Sequence, residues 1–495
     1  MANNTKIWPI FRWANWWLSD DLFTGIKNSF YFSNDMEIRQ DAKSIFPKPV
    51  PAYADSNSRI AISWHWNNIP VFSLYSEEEV GRIVWIEKSI YLVKNWAATL
   101  LCTMGEILCD AEIFNWYIYV STRGYLYYKR HDYTNSWTDM ASATDATAQA
   151  YGRCDDALET YKYHPLYASD VVMCVWNTNQ MMKVTKEIPN LLQPWVTLQE
   201  WYVIRFINEL GWYIRAVAVD EPYGSEVLLW DKYSTAVEEI IPLEWYSIIW
   251  ATIYNWYHYL LSNKWLWLLN WYQYYLLKKT DWDTETDVVN CMCVYDDKLY
   301  FVANWWIYIY WAKNKNYADV LGLWHKAEDG YKLWAIGSYK NWIMVTRQWK
   351  VSSSTPAYVW VNTWLARNGE VQTMCYFGTS MSEIKQSMYI RIGYHIPTEW
   401  ANSGDIHVYY RTEADATSDN PDDWAWHPVQ ENDIWLHANW DMRSPFATTL
   451  KLNCRFQWIQ FKFVLTNCVY TVWANTYTKD TNLYSADLYY NVMLD

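Results

Sequence analysis

The sequence predicts an all-β fold: a six- or seven-bladed β-propeller with an N-terminal extended arm and a C-terminal antiparallel β-sandwich. Two observations carry this prediction. Apolar and polar residues alternate in short runs along the 495-residue chain, with turn residues between the runs, which is typical of half-buried strands. Strand starts at Val171, Tyr213, Tyr257, Leu299 and Ile343 also recur at intervals of about 43 residues, the length of a four-stranded propeller blade.

Each copy of this repeat has a turn, an alternating strand, a second turn and another alternating strand, which together predict a β-hairpin. Residues 255–267 and 297–308 are clear copies, and an earlier copy starts at Tyr117, before a polar insertion at 133–150. One blade cannot bury both of its faces, whereas a ring of blades can. We therefore expect the propeller to span residues 55–368. The alternative, unrelated hairpins in a sandwich, is disfavoured by the regular spacing.

The two ends of the chain lack the repeat. Residues 1–54 combine short alternating runs with a proline-rich exit at 47–51, which indicates an extended arm that closes the ring or docks on a neighbouring subunit. Residues 369–495 contain alternating runs without the period, which predicts the β-sandwich. These runs lie at 388–392, 406–410, 450–453, 459–464 and 488–492.

The chain has 38 Trp and only 14 Gly, the reverse of their usual abundance. Asn-Trp occurs eight times, whereas Asn-Gly occurs at 368–369. Tight hairpin turns need a positive φ, which glycine adopts freely and tryptophan does not. The second turn of one repeat copy has Gly124, where other copies have Trp265, Trp305 or Trp306, and Trp349.

We therefore hypothesise that most of these tryptophans are UGA codons that the native host reads as glycine, an alternative genetic code of some bacteria and their phages. Trp458 lies within an alternating run and is interpreted as genuine. The competing interpretation is a truly tryptophan-rich protein whose rings stack on sugars or bases.

Composition excludes several classes of protein. Lys and Arg number 40 against 54 Asp and Glu, a net charge of −14, which argues against a protein that wraps nucleic acid. The first residues lack the basic and apolar segments of a secretory signal. Nine cysteines, among them Cys291 and Cys293, suggest buried thiols more than a disulfide framework. The apolar stretch 240–277 is interrupted by polar residues, so no membrane span is expected.

The candidate chemical groups are better explained as solvated or structural residues. The acidic run 281–287 spaces its oxygens as a calcium loop does, but both it and 418–423 read as surface loops. The adjacent carboxylates at 77–79 and 238–239 would point to opposite faces of a strand, so they are poor acid–base pairs. His65 reads as a turn residue. The sequence therefore predicts no enzyme and no catalytic, cofactor or metal site.

Residues 13–30, with glycine at the tryptophan positions of the loop 13–21, resemble the start of phage tail-nozzle proteins. These are β-propeller virion proteins, also called tail-tubular or packaged-DNA stabilisation proteins, and the strand at 455–464 resembles their C-terminal domains. The resemblance implies a structural virion protein of a bacteriophage, assembled in the host cytoplasm. Copies of the chain would form a ring that contacts neighbouring virion proteins, and DNA would pass through an acidic lumen without specific binding.

A second interpretation is a carbohydrate-binding or host-attachment propeller protein whose C-terminal sandwich binds host surface glycans. A propeller glycosidase is a third, weaker one. Ring-shaped oligomers would favour the virion interpretation, and glycan binding would favour the second.

Overall fold

The computed structural model describes the chain outside many gaps of one to five residues and thirteen other stretches. These stretches are 1–4, 13–29, 39–44, 48–58, 64–70, 73–80, 131–165, 186–192, 280–290, 312–319, 350–356, 362–367 and 430–445. Regular structure in the described residues consists of strands and two 3-10 turns, Glu413–Asp415 and Pro421–Asp423. The all-β prediction is confirmed. No helix in these parts of the chain has the length and apolarity needed to cross a bilayer.

The chain divides into two compact units. Unit 1 comprises Met1–Pro51, Trp306–Lys326 and Asn362–Asp495, and unit 2 comprises Ala52–Trp305 and Ala327–Val361. The division into an arm, a propeller and a sandwich at residues 54 and 368 stays a prediction.

The strands before residue 362 are numbered in chain order. The first four are β1 (Lys6–Arg12), β2 (Phe30–Asn34), β3 (Met36–Ile38) and β4 (Ile45–Pro47). The others are β5 (Arg59–Ser63), β6 (Val71–Phe72), β7 (Arg82–Ile86), β8 (Ser89–Lys94), β9 (Ala97–Thr103), β10 (Leu108–Phe114), β11 (Tyr117–Thr122), β12 (Leu126–Arg130), β13 (Leu166–Ala168), β14 (Val171–Trp176), β15 (Gln180–Thr185), β16 (Gln193–Thr197), β17 (Val203–Leu210), β18 (Tyr213–Asp220), β19 (Gly224–Asp231), β20 (Glu239–Glu244), β21 (Ile248–Tyr254), β22 (Tyr257–Ser262), β23 (Trp265–Asn270), β24 (Gln273–Lys279), β25 (Met292–Tyr295), β26 (Lys298–Ala303), β27 (Trp306–Trp311), β28 (Val320–His325), β29 (Tyr331–Tyr339), β30 (Trp342–Trp349) and β31 (Ala357–Val361).

Strands β5–β31 form seven antiparallel sheets within the described residues. In chain order these are β6–β9, the three-stranded β10–β12, β13–β16, β17–β20, β21–β24, β25–β28, and β29-β30-β31-β5. The predicted repeat strands are confirmed as β14, β18, β22, β26 and β30. Each is the second strand of its sheet and not the first, because one further strand precedes it in the chain. The start of each repeat, as predicted from the sequence, is therefore one strand too late in the chain.

The last of the seven sheets takes its fourth strand from the start of the region. β5 pairs antiparallel with β31, with Ile60 opposite Val359. Side chains also link neighbouring sheets, where Arg82 Nη1 donates to the carbonyl of Ser338 at 3.0 Å and the Tyr254 hydroxyl donates to the carbonyl of Asp297 at 2.7 Å. Phe206, Val227, Ile248 and Leu260, which belong to two successive sheets, share one buried cluster.

The C-terminal strands are also numbered in order: β32 (Asn368–Thr373), β33 (Lys385–His395), β34 (Thr398–Glu399), β35 (Asn402–Ser403), β36 (Asp405–Thr412), β37 (His427–Pro428), β38 (Phe446–Lys451), β39 (Arg455–Phe456), β40 (Ile459–Thr466), β41 (Cys468–Val472), β42 (Asn475–Lys479) and β43 (Asn482–Val492). Four of the five predicted runs lie wholly on these strands, and the run 450–453 lies half on β38, which ends at Lys451. Trp458 is an exception to the pattern, because it lies in a bend between β39 and β40 and not inside a strand.

Two large sheets in unit 1 share one hydrophobic core. One has the order β3-β4-β43-β33-β38, with β1 on β43 and β39 on β33, and the other has the order β2-β32-β40-β36-β37. Val371, Ile390, Phe461 and Leu488 are all fully buried members of that core. Of the described strands of the predicted arm, β1, β2 and β4 thus pair with C-terminal strands, and β3 pairs with β4.

Six described residues other than glycine have a positive φ: Asn95, Asn255, Trp256, Asp296, Asp297 and Trp473. Trp256 belongs to one of the eight Asn-Trp pairs on which the glycine hypothesis rests, whereas Trp473 follows Val472 and was not singled out from the sequence. Trp265 and Trp306 instead begin strands β23 and β27, and Trp349 ends β30, so the prediction that these three occupy tight turns is wrong. Residues 115–116, 211–212, 271 and 305 lie outside the described residues.

Candidate functional site

The candidate site lies on the five-stranded sheet of unit 1, on the face turned away from the core. Successive side chains on a strand point to opposite faces. On β36, Ile406 and Val408 are buried in the core, so His407 and Tyr409 lie on the opposite face. On β40, Lys462 lies between the buried Phe461 and Phe463 and points outwards with Tyr409.

Strand register brings Lys462 between two polar neighbours. Its Cα partner on β36 is Tyr409, and its partner on β32 is Gln372. Side chains directly opposite each other on antiparallel strands lie in contact. Gln372 Nε2 also donates to Glu370 Oε1 at 2.8 Å. The amide and the carboxylate of this pair therefore lie beside the lysine on the same face.

Lys462 is held between two aromatic rings. Its Nζ lies 5.0 Å from the ring centroid of Tyr409 and 4.9 Å from that of Trp426, both within the range of a cation–π interaction. No described residue forms a hydrogen bond or ion pair with this ammonium group, nor does any hydrogen-bond the Tyr409 hydroxyl. The site thus offers one positive charge and one phenol to a ligand.

A buried arginine supports the same indole ring from within the protein. Arg411 is 1% exposed, and its Cζ lies 4.3 Å from the ring centroid of Trp426 and 5.0 Å from that of Trp424. Its Nε donates to Gln460 Oε1 at 2.6 Å. A guanidinium group that stacks and hydrogen-bonds in this way fixes the position of its neighbours. Arg411 is therefore a positioning residue.

Carboxylates at the edge of the site are paired within the protein. Asp405 Oδ2 lies 2.9 Å from His407 Nε2. Asp415 Oδ1 lies 2.6 Å from His427 Nε2, and Asp415 Oδ2 accepts from the Thr412 amide at 2.8 Å. No group of three His, Cys, Asp or Glu residues suited to a metal ion occurs in the described part of the chain.

Thiols and phenols in the cores are held in their neutral forms. Burial raises the pKa of Cys293 to about 12 and that of Cys454 to about 11, and it also raises the pKa of Cys291. Burial and a hydrogen bond with Tyr490 raise the pKa of Tyr376. Since a protonated thiol is a weak nucleophile, these cysteines act as small core residues, as predicted for Cys291 and Cys293.

The other groups singled out from the sequence do not assemble into a site in the described residues. The acidic run 281–287, the carboxylates 77–79 and His65 lie outside them. Glu239 begins strand β20, where its Cα partner is Leu229. The run 418–423 is an exposed loop in which Asn420 Oδ1 accepts from the Asp422 amide at 3.2 Å, as predicted.

The sequence did not predict Tyr409 and Lys462 as site residues, although both lie in predicted strands. The alternation in 406–410 and 459–464 indicates which residues face outwards. It does not give the register that places these two residues opposite each other. Trp426 lies outside the predicted strands, and no local pattern connects it with Lys462.

No protein-family model and no curated protein match the chain. Solved structures that are similar over part of the chain include the computationally designed Ika8 protein, with 8% identity and a TM-score of 0.38 over 62% of this chain and 99% of that chain. A chain of the Mitotic Checkpoint Complex has 10% identity and a TM-score of 0.41 over 64% of this chain and 95% of that chain. The WD40 β-propeller domain of Doa1 has 11% identity and a TM-score of 0.40 over 62% of this chain and 97% of that chain. Similarities this distant carry no functional information.

Proposed function

We propose that the seven sheets formed by β5–β31 are the blades of a closed β-propeller and that the two large sheets of unit 1 form a β-sandwich. Two contacts favour ring closure: the pairing of β5 with β31 and the bond from Arg82 in the first sheet to Ser338 in the last. A closed ring covers both faces of every blade, which a single blade cannot do. The core shared by the two large sheets supports the sandwich.

On this architecture we propose a structural role, as a bacteriophage virion protein that forms a ring of identical copies in the tail. The main observation in favour of this role is that N-terminal strands pair with the C-terminal sheets: β1 pairs with β43 and β2 pairs with β32. Strands that join one sheet from such distant parts of the chain resist local opening, which suits a part that bears mechanical load. The net charge of −14 suits a ring through which DNA passes without adhering.

Electron microscopy of the purified chain tests this role. We expect ring-shaped oligomers with a central opening, and no retention of double-stranded DNA on a filter at physiological salt. A chain that stays monomeric at high concentration, or that binds DNA in a strongly salt-dependent way, would contradict the proposal.

A second proposed function is attachment to a host surface through carbohydrate. It is favoured by the outward-facing cluster of Lys462, Tyr409 and Trp426, since aromatic rings beside polar groups suit a ligand with both apolar and polar parts. Binding of the full-length chain to an array of glycans would support this function, and its failure to bind any glycan would exclude it.

We also propose that positions 256 and 473 are glycine in the native protein, translated from UGA. Trp256 has a φ of 66° and Trp473 a φ of 50°, and they are 79% and 94% exposed. The other described non-glycine residues with positive φ are Asn or Asp, which tolerate that conformation. An exposed indole there gains little from burial and strains the backbone.

A further inference from the structure

We propose that the outer face of the five-stranded sheet binds a carboxylated sugar, with the Lys462 ammonium group on the carboxylate and the Tyr409 ring against an apolar face of the sugar. This site, formed by Glu370, Gln372, Tyr409, Trp426 and Lys462, is called the Lys462 platform below. The inference rests on the second proposed function and adds the ligand class and the residues to it.

Lys462 carries a charge that no described carboxylate neutralises. Acidic residues outnumber basic ones in the chain, 54 to 40, yet no described carboxylate pairs with this lysine. The carboxylate on the neighbouring strand, Glu370, accepts a hydrogen bond from Gln372 instead. The rings of Tyr409 and Trp426 hold the ammonium group in place. Because the lysine is already ordered, an incoming anion loses less free energy to immobilising it.

The groups around the Lys462 charge are of both aromatic and polar kinds. A sugar ring presents apolar C–H faces and a rim of hydroxyls. Tyr409 offers an aromatic face and a hydroxyl without a partner among the described residues, while Glu370 and Gln372 offer planar acceptors and donors. The platform thus provides one contact of each kind within three neighbouring strands.

Charge distinguishes a carboxylated sugar from nucleic acid. A single strand carries a phosphate at every nucleotide and is bound by grooves with several cations. The platform has one unpaired cation, and the carboxylates of Glu370 and Asp405 lie on the same face. One carboxylate on an otherwise neutral sugar matches this balance, whereas a run of phosphates would be repelled.

The proposal does not depend on a tryptophan at position 426. Tyr409 and Lys462 supply the ring and the charge, and their register is fixed by the pairing of β36 with β40. Trp426 adds a second ring, which contacts the guanidinium group of Arg411. Glycine at 426 would weaken the site without removing the proposed contacts.

Calorimetric titration of the full-length chain with four probes tests the platform: sialyllactose and methyl glucuronide, which each carry one carboxylate, lactose and a thymidine oligonucleotide. We expect binding of at least one of the two carboxylated sugars, at least tenfold tighter than lactose, and no binding of the oligonucleotide. Lys462→Met, which keeps the side-chain stem, and Tyr409→Ala should each weaken binding at least tenfold. Lys462→Arg should retain it, and Lys451→Met, at an exposed lysine of the other sheet, should leave it unchanged.

The outcomes separate the two proposals. Equal binding of lactose and the carboxylated sugars, or full binding by a folded Lys462→Met variant, would overturn the platform while leaving carbohydrate binding intact. Preference for the oligonucleotide would overturn it in favour of nucleic acid. Binding of none of the three sugars would overturn the platform, whereas the attachment function would fall only if the glycan array also showed no binding.

Discussion

Tryptophan occurs in two opposite settings in this protein. Trp8 is 8% exposed and stacks on Tyr376 with 4.0 Å between ring centroids, and Trp458 is 7% exposed and lies 5.5 Å from Trp424. Trp256 and Trp473 lie in hairpin turns, 79% and 94% exposed, with positive φ. The first pair fills space that a smaller residue would leave empty, whereas the second pair strains the backbone and packs against little.

The contrast in burial and φ distinguishes tryptophans that stabilise the fold from tryptophans that destabilise the turns they occupy. The turn after β25 has the same conformation as the turn at Trp256 but contains no tryptophan. Asp296 and Asp297 have φ values of 49° and 56°, and Asn255 and Trp256 have 48° and 66°, so neighbouring sheets use one turn conformation with different side chains. Two central residues with positive φ define the type I′ turn, for which Asn-Gly is the preferred sequence.

The largest expected effect is at the core tryptophan Trp8. Trp8→Gly should lower the free energy of unfolding by about 4 kcal/mol, because it leaves a cavity in a shared core and adds a flexible residue to a strand. Urea denaturation measures the loss. Ile7→Gly, at an adjacent residue that is 49% exposed, is the matched control and should cost about 1 kcal/mol. Equal losses for the two variants would contradict the assignment of Trp8 to the core.

Trp256→Gly should have the opposite sign. Removing the Cβ at a φ of 66° should raise the free energy of unfolding by about 1 kcal/mol, since glycine adopts this conformation without strain. Trp256→Ala keeps the Cβ and should give little of that gain. If alanine and glycine stabilise equally, the strain is not in the backbone and the comparison fails.

Trp473→Gly should act more locally. Its hairpin, β41 paired with β42, is a two-stranded sheet, and such a hairpin opens without unfolding the rest of the protein. We expect amide hydrogen exchange in β41 and β42 to slow about threefold, which corresponds to roughly 0.6 kcal/mol of local stability. Exchange in β43 serves as the internal control. Faster exchange in the hairpin would oppose the proposal.

Asp297→Gly should have the smallest effect. Aspartate already tolerates a φ of 56°, so replacing it with glycine should change the free energy of unfolding by only a few tenths of a kcal/mol. Thermal denaturation beside Trp256→Gly measures the contrast. A gain at Asp297 as large as that at Trp256 would remove the distinction between the two turns.

The sequence could predict the strands because alternation and spacing are local signals. The repeat strand starting at Tyr257 and the run at 459–464 both lie in strands of the fold. The sequence could not predict which strand comes first in each sheet. The repeat gives the spacing between equivalent strands, but it does not say whether β17 or β18 starts the sheet. It also did not predict that β1 pairs with β43, since pairs so far apart in the chain leave no local pattern.

The candidate site could likewise not be predicted in full, because it depends on which side chains lie opposite each other on neighbouring strands. Lys462 and Tyr409 face outwards for a reason visible in each strand separately. Their proximity depends on register, and a shift of one residue would turn Lys462 into the core. The turn tryptophans were easier to recognise, because the conformation that hairpins require conflicts with the residue itself.

The identity of residues 256 and 473 in the protein isolated from its native source tests the account most directly. Peptide mass spectrometry of that protein should find glycine at both positions, with tryptophan at 8 and 458, and an intact mass below 59.4 kDa. Tryptophan at both turns and an intact mass of 59.4 kDa would contradict the account.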